Sequence, residues 1–466
     1  MEYFNEYPEN FDDFEFDEDA LIDRIKESLD LIESGAAILN VDSIDETIQV
    51  CIESDFVEEG LMLTELVLDI FPFNADFWQY KGVFLNNKFE FEEAYFAFEK
   101  SLSLNPSDVE TLINKAIAEE NLEMFDDAIE TLEEVLKYEQ SNEEAFFNLG
   151  FLYERNDDFK EAIELFKKAV ALDPLFAEAW YELGFCYEYT DSLDEALFAY
   201  DKFLEIEPYS YSGWYNKGIV TVKKNNFIEA INDFEISIAL NDRFSSSWFN
   251  CGVSYANLEM YEKALENIKH AVQLDKNDPT IRFTLGQTYE DLEQYENAIK
   301  EYTKSLRLDK NYFEAFLARA VCLNNINKRD LALADINKAI SLDAKSVEAW
   351  QTKAQIEKNL GEFDSAIESY QKLLALENNN FDAWNTIGEI YSEIGKWKES
   401  INAFNVCTKL HPEKASSFYV KAKQKILLSD NKEAFEYLKS SFSNNPNVRN
   451  EISKDFPELK QSNKTL

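Results

Sequence analysis

The 466-residue sequence predicts an all-α solenoid, in which antiparallel helix pairs stack along one continuous core. Two observations lead to this fold class. Tryptophan, glycine and alanine each recur at a fixed interval of 34 residues, and apolar residues between them follow the spacing of an amphipathic helix. The composition agrees, because 45% of the residues are hydrophobic and 14% are aromatic, which is enough to bury a large core.

The tryptophans set the phase of the repeat, since Trp180, Trp214 and Trp248 are 34 residues apart, as are Trp350 and Trp384. The glycines of one phase are Gly82, Gly150, Gly184, Gly218, Gly252, Gly286 and Gly388. The alanines of a second phase are Ala94, Ala128, Ala162, Ala196, Ala230, Ala264, Ala298, Ala332 and Ala366. We expect these small residues where two helices approach closely and where a neighbouring aromatic side chain needs room.

The order of residues within each unit resembles the tetratricopeptide repeat. Residues 143–176 carry this order as Phe146, Leu149, Gly150, Tyr153, Ala162, Phe166 and Pro174. Eleven such 34-residue units tile residues 75–448 without an insertion. The resemblance implies a right-handed superhelix of antiparallel helix pairs, of the bacterial type with many consecutive repeats.

The chain before residue 75 is predicted to end the stack on its N-terminal side. Residues 41–74 keep the phase but have Ile44 and Gly60 in place of the usual aromatic residue and alanine, which indicates a degenerate repeat. Residues 18–40 contain an amphipathic stripe that ends at Gly35, which predicts a capping helix.

The two terminal segments lie outside the repeat pattern. Residues 449–466 are predicted to form a C-terminal capping helix and a tail. Residues 1–17 alternate aromatic and acidic residues without any Lys or Arg. This segment is either a solubilising tail or a short motif that docks on a partner or on the protein's own groove.

The net charge of −46, from 91 acidic and 45 basic residues, is unevenly distributed. Residues 1–40 have a net charge of −11, whereas residues 415–466 have a net charge of +3. A field of this sign repels phosphate backbones and anionic lipid and attracts basic proteins. The sequence therefore argues against a nucleic-acid or membrane partner and favours a basic protein or peptide.

The cysteines and histidines indicate neither a catalytic site nor a metal site. The five cysteines are scattered without any pair at metal or disulfide spacing, and only two histidines are present. Odd, dispersed cysteines and the absence of a basic, apolar leader predict a cytoplasmic protein with inert core thiols. We expect no enzyme activity, no cofactor and no metal.

The resemblance also implies that the first helix of each repeat lines a groove, with its fifth and ninth residues pointing inward. In the middle repeats both positions are apolar or aromatic. The candidate partner-binding residues are Phe147, Tyr181, Tyr215, Phe249 and Phe283 at the fifth position, with Phe151, Phe185, Ile219 and Val253 at the ninth. This strip either faces a ligand or packs neighbouring repeats together more tightly.

Beside the strip runs an amide row of Asn114, Asn148, Asn216 and Asn250, which Glu182 interrupts. Such amides can donate to and accept from an extended peptide backbone, although asparagine is also common in repeats of this kind.

The predicted function is a non-catalytic scaffold or adaptor. It would hold an extended or helical segment of a basic or amphipathic partner in its groove. Two alternatives remain: a holdase-type assembly chaperone that binds unfolded segments loosely, and a structural solenoid that associates weakly with itself.

Overall fold

The computed structural model describes residues 18–411, and this part of the chain consists of helices joined by short turns. The chain divides into two compact units between Asn226 and Phe227. No helix of the described residues is both long and apolar enough to cross a membrane. The predictions for residues 1–17, for the repeat at 415–448 and for the capping helix at 449–466 lie outside the described residues.

The first unit begins with α1 (Glu18–Glu33) and a short 3-10 helix (Ala37–Leu39). Helix pairs follow, and α12 is the last helix of this unit. Their bounds are α2 (Val41–Glu53), α3 (Val57–Ile70), α4 (Ala75–Asn87), α5 (Phe91–Leu104), α6 (Val109–Asn121), α7 (Phe125–Tyr138), α8 (Glu143–Arg155), α9 (Phe159–Leu172), α10 (Ala177–Tyr189), α11 (Leu193–Ile206) and α12 (Tyr211–Lys223).

The second unit repeats the same pattern from α13 (Phe227–Leu240) onward. The remaining helices are α14 (Ser245–Asn257), α15 (Tyr261–Leu274), α16 (Pro279–Asp291), α17 (Tyr295–Leu308), α18 (Phe313–Asn325), α19 (Arg329–Leu342), α20 (Val347–Leu360), α21 (Phe363–Leu376), α22 (Phe381–Glu393) and α23 (Trp397–Leu410). The predicted all-α solenoid of helix pairs is confirmed.

The small residues allow the two helices of each pair to approach. A Cβ atom added to Gly150 would lie 2.8 Å from the ring of Phe166, and one added to Gly184 would lie 2.8 Å from the ring of Tyr200. The alanines of the second phase have no exposed surface at all, from Ala94 to Ala366. Because these sites have no spare volume, any larger side chain there would push the helices apart.

The tryptophans that set the phase have a specific bonding role. The indole Nε1 of Trp180 donates to the carbonyl oxygen of Pro174 at 3.1 Å, and Trp350 donates to Ala344 at 3.0 Å. Arg282 stands in the tryptophan position of its repeat, and its Nε makes the equivalent bond to Lys276 at 2.9 Å. Each bond ties a first helix to the turn that precedes it, which satisfies a carbonyl group outside the helices.

The turn inside each helix pair needs one residue in the left-handed region. The backbone φ is 62° at Phe89 and 80° at Gly361, which occupy the same place in their repeats. Glycine adopts this conformation without strain, whereas a bulky residue does not. The repeat therefore imposes the same backbone on residues that differ widely in their suitability for it.

Candidate functional site

The first helices of three consecutive repeats share one face, which we term the first-helix face of the first unit. It is built from α8, α10 and α12, and it contains a pocket of about 410 Å³. The pocket is lined by Glu154, Tyr181, Glu182, Phe185, Glu188, Tyr215, Asn216 and Ile219. The lining combines aromatic and aliphatic side chains with three carboxylates.

The aromatic residues of the pocket differ in how closely they pack against the core. The ring of Tyr181 packs edge-on against Tyr200 and Phe203, with centroids 5.9 and 5.1 Å away. Phe185 makes a looser contact with Tyr189, at 6.4 Å, and 37% of its surface is exposed. Tyr181 is therefore shared between core and pocket, whereas Phe185 presents its ring to solvent.

One repeat earlier, Phe147 and Phe151 lie on α8 with their rings stacked at 6.4 Å. Phe147 also contacts Phe166 at 5.7 Å and Phe176 at 4.9 Å, so that it packs α8 against α9 and against the turn that leads to α10. Both residues are half-buried against the core, and neither lines the pocket. At these two positions the geometry fits the packing interpretation of the strip better than the ligand interpretation.

Asparagine side chains of the amide row donate hydrogen bonds within the protein. Asn216 Nδ2 donates to the hydroxyl of Tyr181 at 2.7 Å, which joins neighbouring repeats across the pocket. Asn148 Nδ2 donates to Glu144 O at 2.9 Å, and Asn250 Nδ2 donates to Ser246 O at 3.0 Å. An amide has further donor and acceptor capacity, so that Asn216 is both held in place and able to bond a ligand.

One pocket carboxylate, Glu188, belongs to a series of ion pairs between consecutive repeats. Glu120 pairs with Arg155 at 2.6 Å, and Glu188 pairs with Lys223 at 3.0 Å. In each pair, the twelfth residue of one first helix meets the thirteenth residue of the next. Between these pairs, the thirteenth residue is Tyr189, whose ring stacks on Phe159 at 4.1 Å.

Glu154 therefore lacks the cation that its position has in the neighbouring repeats. Its carboxylate accepts from the thiol of Cys186, with Sγ 3.6 Å from Oε2. Glu182, the residue that interrupts the amide row, forms no ion pair within the described part of the chain. Two carboxylates thus share one side of the pocket without a positive charge of their own.

The pKa values of Glu154 and Glu182 are both raised by this arrangement. Burial, together with the charge of Glu154, raises the pKa of Glu182 to about 7. Burial also raises the pKa of Glu154, against a smaller lowering effect of the Cys186 hydrogen bond. An unpaired, desolvated carboxylate gains more from an incoming cation than one that is already paired or fully hydrated.

The remaining candidate residues lie in the second unit. Phe249 and Val253 are half-buried on α14. Phe283 on α16 packs against Tyr302 at 5.6 Å and Tyr312 at 4.9 Å, much as Phe147 does in the first unit. None of these three lines the pocket of the first unit.

All five cysteines lie within the described residues, where each is buried and none forms a disulfide bond. Burial raises the pKa of the thiols, to about 11 for Cys51 and about 12 for Cys251. A thiol of this kind is a poor nucleophile, because the reactive form is the thiolate. The prediction that the cysteines are buried in the core is confirmed.

Sequence reasoning found the aromatic part of the pocket and missed most of its acidic part. Tyr181, Phe185, Tyr215, Asn216 and Ile219 were all candidates, and the structure brings them together. Glu182 appeared in the sequence only as a gap in the amide row, and Glu154 and Glu188 were not candidates. The sequence signal for them is the recurrence of glutamate at the twelfth position, with a cation 35 residues later in two of four cases.

Comparisons with known proteins agree with this architecture. Models described as tetratricopeptide repeat match residues 75–108, 143–176, 177–210, 245–278 and 279–312, and one described as TPR repeat matches residues 354–395. No curated protein has a significant match to the sequence.

Several solved structures resemble parts of the chain. A structure of MamA is 27% identical, with a TM-score of 0.33, over 36% of this chain and 92% of its own. YrrB, described as a TPR protein with an unusual peptide-binding site, is 25% identical, with a TM-score of 0.38, over 41% of this chain and 98% of its own. The C-terminal part of a TPR repeat-containing protein from Cytophaga hutchinsonii is 20% identical, with a TM-score of 0.45, over 51% and 97%.

Proposed function

Because the chain is a tetratricopeptide-repeat protein, we propose that it is a non-catalytic scaffold that holds a segment of a partner protein. The proposed docking surface is the first-helix face of the first unit, centred on the pocket between α10 and α12. Stacked repeats offer such faces as extended binding surfaces, because each first helix contributes a row of side chains that the core does not need.

The observation that carries this proposal is the exposed ring of Phe185. It lies within a pocket whose other apolar walls are Tyr181, Tyr215 and Ile219, and 37% of its surface remains open to solvent. Pockets of about 300–1,000 Å³ with apolar walls and a few polar groups are typical of binding sites. Aromatic side chains in such places contribute a large share of binding energy in protein complexes.

The partner is proposed to be basic or amphipathic. The protein has a net charge of −46, and its pocket contains three carboxylates. A field of this sign accelerates encounter with positively charged segments and disfavours acidic ones. The five buried cysteines form no disulfide within the described residues, which supports a reducing compartment, and we propose a cytoplasmic location on that basis.

Affinity capture from native lysate tests the docking surface. Wild-type protein is compared with a Phe185→Ser, Ile219→Ser variant, which removes two apolar walls of the pocket. The matched control is Gln355→Ser, which changes the ninth residue of a first helix in the second unit, where the side chain is polar and exposed. Circular dichroism establishes that both variants keep their helix content.

The proposal predicts that a small set of proteins is retained by wild type and by the control, and lost by the pocket variant. Retention of the same proteins by the pocket variant would refute the docking surface. Capture of many unrelated unfolded proteins, with suppression of their aggregation, would instead indicate a holdase. A concentration-dependent rise in mass by sedimentation, abolished by neither variant, would indicate a self-associating solenoid.

A further inference from the structure

The pocket on the first-helix face is suited to one particular side chain of a bound segment. We propose that it receives a single lysine or arginine side chain, whose positive charge lies between Glu154 and Glu182 and whose aliphatic stem packs on Phe185 and Ile219. This inference rests on the proposed function, because it assigns a chemical preference to the same docking surface.

The first argument is the interrupted series of ion pairs. Glutamates at the twelfth position of α6 and α10 each receive a cation from the following repeat, at 2.6 and 3.0 Å. Glu154 occupies the same position on α8, and Tyr189 stands where its cation would be. The backbone that places a cation beside Glu120 and Glu188 therefore leaves that place beside Glu154 to a group from outside the chain.

The second argument is that the charge near this place is uncompensated. Glu182 adds a second carboxylate to the same pocket. The charged group that affects the pKa of Glu182 is Glu154, which is also an anion. Two buried like charges are unfavourable, and a cation between them relieves both the repulsion and the desolvation. The pocket is thus complementary in charge to a lysine or arginine.

The third argument concerns shape and lining. The volume of about 410 Å³ accommodates one long side chain but not a folded element. Lysine and arginine carry apolar stems that pack along hydrophobic surface while the charged group remains solvated or paired. The faces of Tyr181, Phe185 and Tyr215 also attract a cation through their ring quadrupoles.

Behind the pocket, the hydroxyl of Tyr200 indicates that the polar network here is incomplete. Tyr200 is fully buried, and its hydroxyl has no hydrogen-bond partner among the described residues. In the repeat of α16 and α17, the equivalent Tyr302 donates to Glu290 at 2.7 Å. The counterpart of Glu290 is Glu188, which is paired with Lys223 instead. The carboxylate that could accept from Tyr200 is therefore already engaged by a lysine.

Several groups face Glu182 from the helices packed around it. The titratable ones are Glu154 on α8, Tyr181 and Cys186 on α10, Tyr200 on α11 and Tyr215 on α12. Glu188 lines the same pocket and is paired with Lys223. With a pKa of about 7, Glu182 is largely protonated at pH 6 and largely ionised at pH 8. Affinity for a cationic side chain is therefore expected to rise with pH across this range.

The test uses the full-length protein and fluorescein-labelled peptides Ser-Leu-Ser-Leu-X-Leu-Ser-Leu-Ser, in which X is lysine, arginine, norleucine or glutamate. Norleucine has the length of the lysine stem without its charge. Dissociation constants are measured by fluorescence anisotropy for wild type, Glu182→Gln and Glu154→Gln. The control is Glu178→Gln, which removes one negative charge from an exposed position of the same helix.

We expect wild type to bind the lysine or arginine peptide about tenfold more tightly than the norleucine peptide, as a charge-assisted contact implies. This ratio should fall to about twofold or less in Glu182→Gln and in Glu154→Gln, and it should be unchanged in Glu178→Gln. For wild type the ratio should also rise by about threefold or more between pH 6 and pH 8, which tests the subsite without any substitution.

Equal affinity of wild type for lysine and norleucine peptides would overturn the subsite, as would a ratio that survives both pocket substitutions. Failure of every peptide to bind at millimolar concentration would overturn it too. The docking surface itself is judged separately. If the norleucine peptide binds wild type but not the Phe185→Ser, Ile219→Ser variant, the docking surface is supported, even if the measurements refute the cationic subsite.

Discussion

Two stretches of first helices, α8 to α12 in the first unit and α20 to α22 in the second, follow the same repeat but carry opposite kinds of side chain. On α8, α10 and α12 the ninth residues are Phe151, Phe185 and Ile219, whereas on α20 and α22 they are Gln355 and Glu389. The polar pair is satisfied from within: Gln355 bonds Asn359 at 2.9 Å, and Glu389 lies 3.3 Å from Lys358 Nζ.

The carboxylates of these two surfaces also differ in whether a cation pairs with them. Glu389 has a cation from the preceding repeat and also accepts from Asn385 at 2.8 Å. Glu154 and Glu182 have no cation from the described residues. A surface whose groups satisfy one another has little to gain from a partner, whereas apolar walls with unpaired carboxylates retain that capacity. The repeat scaffold alone therefore does not determine where a partner binds.

The largest expected effect concerns the fifth position. Tyr181→Ala is expected to destabilise α10 to α12 by about 2 to 3 kcal/mol, because the ring packs on Tyr200 and Phe203 and its hydroxyl accepts from Asn216. Gln351→Ala, at the same position of an exposed site in the second unit, should change stability by about 0.5 kcal/mol or less. Amide hydrogen exchange of the affected helices measures both changes.

Hydrogen exchange is the suitable readout because long repeat arrays do not unfold in one cooperative step. If Tyr181→Ala left protection of α10 unchanged, the ring would belong to the ligand surface alone, and the two faces would differ even more than their packing indicates.

An intermediate effect concerns the acidic pocket and its dependence on pH. The folded-state pKa of Glu182 is raised from 4.5 to about 7, so that the folded protein binds a proton there more tightly than the unfolded chain does. Wild-type stability should therefore fall as the pH rises from 4.5 to about 7. Glu182→Gln removes this loss and should stabilise the first unit by about 1 to 2 kcal/mol above pH 7, after allowance for solvent at the pocket mouth.

The control for this prediction is Glu389→Gln in the second unit. That substitution removes an exposed ion pair and should destabilise the protein slightly, by about 0.5 kcal/mol or less. Hydrogen-exchange protection of α10 and α22 at pH 5 and pH 8, corrected for the intrinsic exchange rate at each pH, distinguishes the two variants. Stabilisation by Glu389→Gln, or destabilisation by Glu182→Gln at pH 8, would mean that the carboxylates of the two faces do not differ in the way described.

The smallest expected effect concerns a feature that the two units share. Phe89 adopts a φ of 62° with 79% of its surface exposed, where Gly361 stands in the second unit. Phe89→Gly should stabilise the protein by about 0.5 kcal/mol. Glycine removes the strain of the left-handed conformation, and this gain exceeds the cost of the greater conformational entropy that glycine gives the unfolded chain. Gly361→Ala should cost about 1 kcal/mol through backbone strain alone, because an added Cβ contacts nothing within 4 Å.

Hydrogen-exchange protection of α4 and α5 for Phe89→Gly, and of α20 and α21 for Gly361→Ala, gives the comparison. Shifts of the same sign would show that the turn is not equivalent in the two units, and that the repeat imposes its backbone less strictly than the φ values indicate.

Much of the fold could be predicted because the repeat makes each local signal recur. Gly150 and Gly184 predicted close helix approach, and the rings of Phe166 and Tyr200 occupy the space that a side chain would need. The bonding role of Trp180 could not be predicted, since its acceptor is the carbonyl oxygen of Pro174 in the preceding turn. Spacing reveals that a residue recurs, but not which atom it meets.

The sequence by itself determined the all-α solenoid, the helix-pair period and the aromatic row, because each depends on contacts that recur within one or two repeats. The tertiary structure alone decided which of those aromatics remain exposed and which carboxylates remain unpaired. Phe151 and Phe185 occupy the same position in their repeats, yet Phe151 is half-buried against the core beside Phe147, while Phe185 keeps 37% of its surface exposed. Whether Glu154 has a cation depends on a side chain from the next repeat, and that pairing exists only once the helices are stacked.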